Sequence, residues 1–197
     1  MSCVNCGRTD AVELCPECEA GEIQKAGPYE LVNGARIHRL ANIVGDITIG
    51  EGSRIDAFVT ITGDVRIGRY THIGTMVCVF GGGGVKIGDY VGISPGVKIF
   101  SGTEDASGEW VTNPTVPERL RNPAVSFIKI ADHALIGANT VLLPGAHLPE
   151  GACVGAVSLV KHLLSPWSIW AGCPARRIRD RSQGVKRLIN DPANWKT

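Results

Sequence analysis

Residues 37–79 read IHRLANIVGDITIGEGSRIDAFVTITGDVRIGRYTHIGTMVCV. Within this stretch an aliphatic side chain returns at every sixth position, from Ile37 to Val79. The interval continues after two interruptions, at Ile87, Ile93, Ile99, Ile130, Ile136, Leu142, Leu148, Val154 and Val160. An amphipathic helix repeats every ~3.6 residues and a half-buried strand every two, so a period of six fits neither. The spacing predicts a solenoid of short strands that stack their aliphatic side chains inward.

Two other positions of the repeat support this interpretation. Glycine often follows the aliphatic residue, as at Gly50, Gly68 and Gly137. Four positions after the aliphatic residue the side chain is small or β-branched, as at Ser53 and Thr71. Small side chains fit the corners of a coil, and glycine relieves a tight turn. We therefore predict an all-β solenoid with one continuous aliphatic core.

The composition limits the class of protein. A chain of 197 residues has the length of one domain with a small addition. Its net charge of +1 gives no strong electrostatic indication of binding to nucleic acid or an anionic membrane. No apolar stretch approaches the roughly 20 residues of a membrane span, and the N-terminus does not resemble a signal peptide. The 7 cysteines favour reduced thiols, so we expect a cytoplasmic protein.

The repeat units resemble those of a known family. The units IGEGSR, IGRYTH, IGDYVG, IGANTV and LPEGAC are similar to the hexapeptide repeat of left-handed parallel β-helix acyltransferases. The segment SIWAGCPARRIRD, residues 168–180, is similar to the segment that leads into the closing helix of these enzymes, and the proline-poor stretch 177–190 is compatible with that helix. The resemblance covers about residues 37–180. It implies a left-handed coil of three hexads and a homotrimer with active sites between adjacent subunits.

We expect the chain to have three parts. Residues 1–28 form an N-terminal zinc-binding knuckle, and residues 29–176 form the left-handed β-helix, with an inserted loop at 101–129. A C-terminal helix and tail occupy residues 177–197. Long insertions in a rigid solenoid often carry function, and in the resembling family such a loop lies across the neighbouring subunit's cleft.

The knuckle is predicted from two pairs of cysteines with C-x-x-C spacing. Four thiolates in this arrangement suit a structural, tetrahedral zinc ion. A segment of this size is too small to fold without the metal. Its role is left open between partner docking, capping of the first coil and trimer packing. The proposed ligands are Cys3, Cys6, Cys15 and Cys18.

The sequence around the interruptions indicates a branch of the family. The run GGGGVKIGDY followed by SGTEDASG resembles N-acetyltransferases of nucleotide-linked 4-amino sugars. The resemblance implies acetyl-CoA as co-substrate and a dTDP- or GDP-linked 4-amino-4,6-dideoxyhexose as acceptor, in surface-glycan (O-antigen) biosynthesis. Two alternatives stay open, O-acetylation of a sugar or glycan hydroxyl and a non-catalytic assembly role, whereas the histidine spacing disfavours a γ-class carbonic anhydrase. The last needs three zinc-binding histidines, and none of the 5 histidines shows the H-x4-H spacing.

The candidate proton acceptors are two carboxylates and one histidine. Related enzymes carry a catalytic histidine in the loop where this chain has Glu104 or Asp105. An amine is a better nucleophile than a hydroxyl, so a carboxylate base favours an amine acceptor. His72, in RYTHIG, is the alternative base. The glycines of 81–84 either direct backbone N–H groups at a ligand or form a simple bulge between coils.

The family pattern also implies where acetyl-CoA binds. Small residues are needed where its pantetheine bonds to the backbone at coil corners, and Ala138 and Ala156 match those positions. Lys161, His162 and Arg179 match residues beside the nucleotide end, where cations suit phosphate groups.

Overall fold

The six-residue spacing produces short strands that stack in register. The computed structural model describes residues 29–195, which form a parallel β-solenoid. The strands are β1 (Tyr29–Val32), β2 (Ala35–His38), β3 (Asn42–Ile49), β4 (Arg54–Ile55), β5 (Thr60–Ile67), β6 (His72–Ile73), β7 (Cys78–Ile87), β8 (Gly92–Ile93), β9 (Lys98–Phe100), β10 (Gly102–Thr103), β11 (Ala124–Val125), β12 (Ile128–Ile130), β13 (Leu135–Ile136), β14 (Val141–Leu142), β15 (His147–Leu148), β16 (Cys153–Val154), β17 (Leu159–Val160), β18 (Ser168–Ala171) and β19 (Arg176–Asp180). The helical segments within residues 29–195 are α1 (Val185–Asn190) and two short 3₁₀ helices, Glu118–Leu120 and Pro192–Trp195.

Each coil contributes to three faces. The first face contains β2, β4, β6, β8, β13, β16 and β18 in that order. The long strands β3, β5 and β7 run over both of the other faces. In β7, for example, the first part pairs with β9 and the last part with β12. The second face continues through β14 and β17, and the third through β15. Arg54 aligns with His72, so one coil takes three six-residue units.

The aliphatic ladder forms the core, as predicted. From Ile55 to Val160 every residue of the ladder is buried, none more than 4% exposed. The small corner residues are buried as well, including Ser53, Thr71 and Thr140. Ile37, Ile43 and Ile49 are only partly buried, because within the described residues the first coil is preceded only by strand β1, which pairs with β2.

Each interruption of the ladder is confined to a single coil and leaves the stacking of the later coils in register. Strands β5 and β7 shift register between Gly63 and Val65, and residues on β6 then align twenty positions ahead, as His72 does with Gly92. The inserted loop leaves after β9 and returns at β12, where Ile128 aligns with Val85. Beyond the loop the interval of eighteen returns, and Leu135 aligns with Cys153.

The C-terminal segment differs from the expectation. Residues 176–180 form strand β19, which pairs antiparallel with β18, and the helix α1 is confined to Val185–Asn190. The expected helix over 177–190 is therefore wrong in its first part. The edge of the first face offers backbone hydrogen-bond partners to this segment, and tertiary pairing overrides local helix preference.

Aromatic rings stack along the corner between the third and first faces. Tyr70 stacks on Tyr90 with centroids 5.5 Å apart, and Tyr90 stacks on His133 at 5.3 Å. The C-terminal segment folds back onto this stack, where the Trp195 ring lies 5.0 Å from that of Tyr70. The Lys186 ammonium lies 4.9 Å from the centroid of Trp167 and forms an ion pair with Glu150. The segment after β19 is thus attached to the outside of the solenoid.

The predicted zinc ligands Cys3, Cys6, Cys15 and Cys18 lie outside the described residues, and the zinc site stays a prediction. Within residues 29–195 no three His, Cys, Asp or Glu side chains are grouped to hold a metal ion. No helix in that range is long and apolar enough to cross a membrane.

Candidate active site

The inserted loop builds a cavity at the corner between the second and third faces. Strands β10 and β11 pair antiparallel and close the neck of the loop, so that residues 104–123 form its body. A cavity of about 710 Å³ lies between this body and the solenoid. Its apolar walls include Phe80, Phe100, Val125 and Leu143, while Glu104 and Arg121 contribute charged groups.

The neck of the loop is seated on the glycine run. The Ser101 hydroxyl is fully buried; it accepts a hydrogen bond from Gly83 N–H and donates one to Phe80 O, both at 2.8 Å. A Cβ atom on Gly83 would lie 2.5 Å from the Val125 side chain and 2.7 Å from Ser101 O. The glycine run is therefore a bulge whose lack of side chains allows the loop neck to approach, the second of the two alternatives.

Two stacked phenylalanine rings form one wall of the cavity. The rings of Phe80 and Phe100 are nearly parallel, with centroids 5.2 Å apart. They occupy aligned positions on β7 and β9, so the register of the second face sets their stacking. An apolar wall of aromatic rings suits the apolar side of a sugar ring or an acyl chain.

Glu104 and Arg121 form an ion pair on the wall of this cavity. The Arg121 Nη2 atom donates to Glu104 Oε1, and Arg121 Nε lies 3.4 Å from Oε2. Their side chains are 31% and 19% exposed, respectively. Glu104 directly follows β10, and Arg121 ends the 3₁₀ turn Glu118–Leu120 by donating its backbone N–H to Glu118 O at 2.9 Å. The pair connects the two arms of the loop.

Asp105 has a different environment from its neighbour. Its Oδ1 atom accepts hydrogen bonds from the Ser107 backbone N–H, at 2.8 Å, and from the Ser107 hydroxyl. These bonds from Ser107 hold the pKa of the Asp105 carboxyl below its usual value. Asp105 is not among the residues that line the cavity, and its carboxylate stabilises the turn of the loop.

His72 lies on β6, on the first face, away from the cavity. Its Nε2 atom is 2.8 Å from Asp56 Oδ2. Asp56 also accepts hydrogen bonds from the Tyr29 hydroxyl at 2.6 Å and from Arg54 Nε at 2.7 Å. Burial opposes ionisation of Asp56, but these hydrogen bonds outweigh it and hold the pKa of the carboxyl well below its usual range. Within one chain the structure does not bring His72 to Glu104.

The residues predicted to bind acetyl-CoA fall at three places on one chain. Ala138 and Ala156 lie in adjacent coils at the corner between the first and second faces, where Val157 N–H donates to Ala138 O at 2.8 Å. Arg179 is exposed on β19, opposite Ile169. Strand β19 lies two strands beyond β16, the strand that Ala156 follows.

Lys161 and His162 lie closer to the cavity. They follow β17, one coil beyond Leu143, whose N–H donates to Val160 O at 2.9 Å. His162 O accepts the backbone N–H of His147 at 3.4 Å, which places it at the same corner as the inserted loop. The two side chains therefore continue the edge of the solenoid on which the cavity opens.

Comparison with known proteins identifies the family. Residues 46–81 match the model of the bacterial transferase hexapeptide (six repeats). A variant of AntD, an N-acyltransferase from Bacillus cereus, solved with dTDP-4-amino-4,6-dideoxyglucose and coenzyme A, superposes with a TM-score of 0.80 at 31% identity. The superposition covers 89% of this chain and 96% of AntD. The chain belongs to the hexapeptide-repeat acyltransferases.

Other members of the family are similar over shorter or comparable lengths. A structure of AntD with dTDP and 3-hydroxybutyryl-CoA gives a TM-score of 0.77 at 32% identity, covering 86% of this chain and 92% of AntD. The dTDP-4-amino-4,6-dideoxy-D-glucose acyltransferase of Escherichia coli is 37% identical over 110 residues, 56% of this chain and 57% of that enzyme. A chloramphenicol acetyltransferase of Agrobacterium fabrum is 30% identical over 107 residues, 48% of this chain and 51% of that enzyme. The matches thus span about half the length of these curated relatives.

The sequence named Glu104 as a candidate, and the structure places it on the cavity wall, but the groups that surround the candidate residues were missed. Arg121 lies in a loop without periodicity, and no spacing connected it to Glu104. The cluster around Asp56 could have been found, because the eighteen-residue interval places His72 beside Arg54, two positions before Asp56.

Proposed function

We propose that this protein transfers an acyl group from acyl-CoA to the amino group of a dTDP-linked 4-amino-4,6-dideoxyhexose. The observation that carries the proposal is the agreement with AntD over nearly the whole described chain, since AntD was solved with that class of amino sugar and with coenzyme A. The cavity beneath the inserted loop supports it, because a carboxylate and an apolar aromatic wall suit an amino sugar that lacks a hydroxyl at C6.

In the reaction, the neutral amine nitrogen attacks the thioester carbonyl carbon. The C–S bond breaks, the amide C–N bond forms, and the CoA sulfur leaves as a thiolate that takes up a proton. The nitrogen loses one proton, and we assign its acceptance to Glu104. Glu104 lines the cavity, whereas the Asp105 carboxylate is engaged by Ser107 and the His72 imidazole is hydrogen-bonded to Asp56. The reaction consumes no other reactant.

We propose that acyl-CoA binds along the edge that continues from the cavity to Lys161 and His162. Ala138, Ala156 and Arg179 fall on other parts of the same chain, and this distribution supports a homotrimer in which parts of neighbouring subunits border one site. We propose as well that the coils of the solenoid are left-handed. Sedimentation of the purified protein at several concentrations tests the trimer.

Several finer assignments remain part of this proposal. Acetyl-CoA is the proposed donor, and the AntD complex with 3-hydroxybutyryl-CoA makes that thioester the natural comparison. The product would enter surface-glycan synthesis, and the cysteine content supports a reducing cytoplasm. Residues 1–28 would form the zinc knuckle before the solenoid domain. Metal analysis of the purified protein and of a Cys3→Ser variant tests this, with one bound zinc expected in the former.

The deciding experiment measures thiol release from each thioester with matched acceptors. The acceptors are dTDP-4-amino-4,6-dideoxyglucose, dTDP-glucose and simple glycosides. We expect turnover with the amino sugar and none with dTDP-glucose, which offers a hydroxyl at C4. Turnover only with hydroxyl acceptors would change the assignment to O-acylation. An absence of turnover and of CoA binding would overturn the catalytic proposal and favour an assembly role.

A further inference from the structure

We infer that Arg121 is a positioning residue, which holds the Glu104 carboxylate on the cavity wall in the orientation that accepts the amine proton. The inference rests on the proposed function and adds a residue that neither the sequence pattern nor the family comparison identified. It depends on three features of the ion pair, namely its two-point geometry, its fixed supports and its apolar surroundings.

The first feature is the geometry of the contact. The guanidinium group engages both carboxylate oxygens, through Nη2 to Oε1 and through Nε to Oε2 at 3.4 Å. A two-point contact of this kind fixes the plane of the carboxylate, which a lysine ammonium does not. Each carboxylate oxygen has two acceptor positions, so both oxygens keep the capacity to accept a proton from substrate.

The second feature is the support of each partner by ordered backbone. Glu104 follows β10, which is paired to β11. Arg121 is fixed by the 3₁₀ turn before it, and the opposite arm is tied to that turn by the bond from Val111 N–H to Leu120 O at 2.9 Å. The positions of the two charged groups are therefore set by the fold of the loop. A flexible glutamate in a loop would otherwise sample several rotamers.

The third feature is the surroundings of the pair. Phe80, Phe100 and Leu143 line the same cavity, and the Arg121 side chain is only 19% exposed. Exposed ion pairs contribute little, but an apolar wall lowers the local dielectric constant and strengthens the attraction. Arg119, two residues earlier, is exposed and forms no ion pair with any described residue, so it is a matched control.

The test is steady-state kinetics of Arg121→Gln, Arg121→Lys, Glu104→Gln, the double variant Arg121→Gln/Glu104→Gln, and Arg119→Gln. We expect Arg121→Gln to lower kcat by about 10- to 100-fold with both KM values nearly unchanged, because misplacement of a catalytic group affects the chemical step. Arg121→Lys should recover part of that loss, and Arg119→Gln should resemble the wild type. The double variant should be no slower than Glu104→Gln alone, since the two residues act as a unit.

Four results would overturn the inference. A raised KM with unchanged kcat in Arg121→Gln would assign Arg121 to substrate binding. Multiplied losses in the double variant would show independent roles. A fully active Glu104→Gln variant would show that Glu104 does not accept the proton, so that Arg121 would have no catalytic group to position. Turnover by the wild type would still support the proposed function. A wild type inactive with every acceptor would overturn both. Circular dichroism confirms folding, and Arg121→Lys provides the test if the glutamine variant unfolds.

Discussion

The imidazole of His72 is hydrogen-bonded to the carboxylate of Asp56, with Nε2 and Oδ2 2.8 Å apart. The same carboxylate accepts hydrogen bonds from Tyr29, which precedes the solenoid in the β1–β2 hairpin, and from Arg54, one coil below His72. One carboxylate thus connects the terminal hairpin to two successive coils. The cluster is therefore a structural tie, which joins the hairpin to the coils at the N-terminal end of the solenoid.

This tie predicts a dependence of stability on pH. The pKa of Asp56 is held below its usual range in the folded protein, so the unfolded chain takes up a proton first as the pH falls below about 4. The contribution of Asp56 is therefore present at neutral pH and decreases in acid. We expect Asp56→Asn to lower the free energy of unfolding by about 1–2 kcal/mol at pH 7. Urea denaturation at several pH values should show this difference shrinking toward acid pH.

The control for this experiment is Asp180→Asn, since Asp180 pairs with Arg177 while 88% exposed. Its effect should be close to zero. A constant difference between the wild type and Asp56→Asn down to the most acid pH would contradict the assignment.

A matched pair of glycine substitutions tests the seat of the inserted loop. Gly83→Ala should lower the free energy of unfolding by about 1–3 kcal/mol, because its Cβ atom would lie 2.5 Å from Val125 and 2.7 Å from Ser101 O. Gly82→Ala should have little effect, because apart from its chain neighbours no residue has an atom within 4 Å of its Cβ position. Thermal unfolding of both variants compares them, and equal stability would show that the loop neck adjusts without cost.

Adjacent residues on β13 test the core. Ile136 is fully buried, whereas Leu135 is 41% exposed on the outside of the same strand. We expect Ile136→Ala to cost about 2–5 kcal/mol and Leu135→Ala less than about 1 kcal/mol. Chemical denaturation measures both values. Similar losses would mean that the outer surface of the first face is as important to stability as the ladder.

Conservative substitutions distinguish the three candidate proton acceptors from one another. Glu104→Gln should reduce kcat by at least about 100-fold, the usual contribution of a general base. Asp105→Asn should lose less than about tenfold, through a less ordered loop turn, and His72→Asn should act on stability more than on kcat. Thiol release with the amino sugar gives the rates. A larger loss for Asp105→Asn than for Glu104→Gln would transfer the role to Asp105.

The C-terminal segment should separate from the solenoid without unfolding it. Trp195 contacts Tyr70 at 5.0 Å, and such a ring pair contributes about 0.5–1.5 kcal/mol. We therefore expect Trp195→Ala to increase hydrogen exchange in residues 185–190 and to leave exchange in β4, β6 and β8 unchanged. Increased exchange throughout the first face would show instead that the segment stabilises the whole solenoid.

The solenoid could be predicted because its core obeys a local rule. An aliphatic residue at every sixth position and a small residue four positions later determine the strands, the corners and the register, and these appear in a single sequence. Strand β19 obeys no such rule, because its partner β18 supplies the hydrogen bonds that make Arg176–Asp180 extended. Local sequence cannot show whether a free sheet edge is near.

In the candidate site, too, local sequence shows some residues, while others depend on how the chain folds. Glu104 could be selected as a candidate because the loop interrupts a regular pattern and carries a carboxylate there, and the structure places it on the cavity wall. Arg121 was missed because the pairing of two residues seventeen positions apart depends on how the loop folds over the cavity. The environments of Asp105 and His72 could not be predicted for the same reason. They are set by contacts with Ser107 and Asp56, which residue type alone does not reveal.

The return of the eighteen-residue interval beyond the inserted loop separates two kinds of change during evolution. Ile128 realigns with Val85 after the loop, so its length has no influence on the phase of any later coil. Loops of other sizes and sequences can then be exchanged at this corner while the ladder stays as it is, and whole coils can be gained or lost without altering the loop. The shape of the cavity and the length of the solenoid can therefore change independently in such a chain.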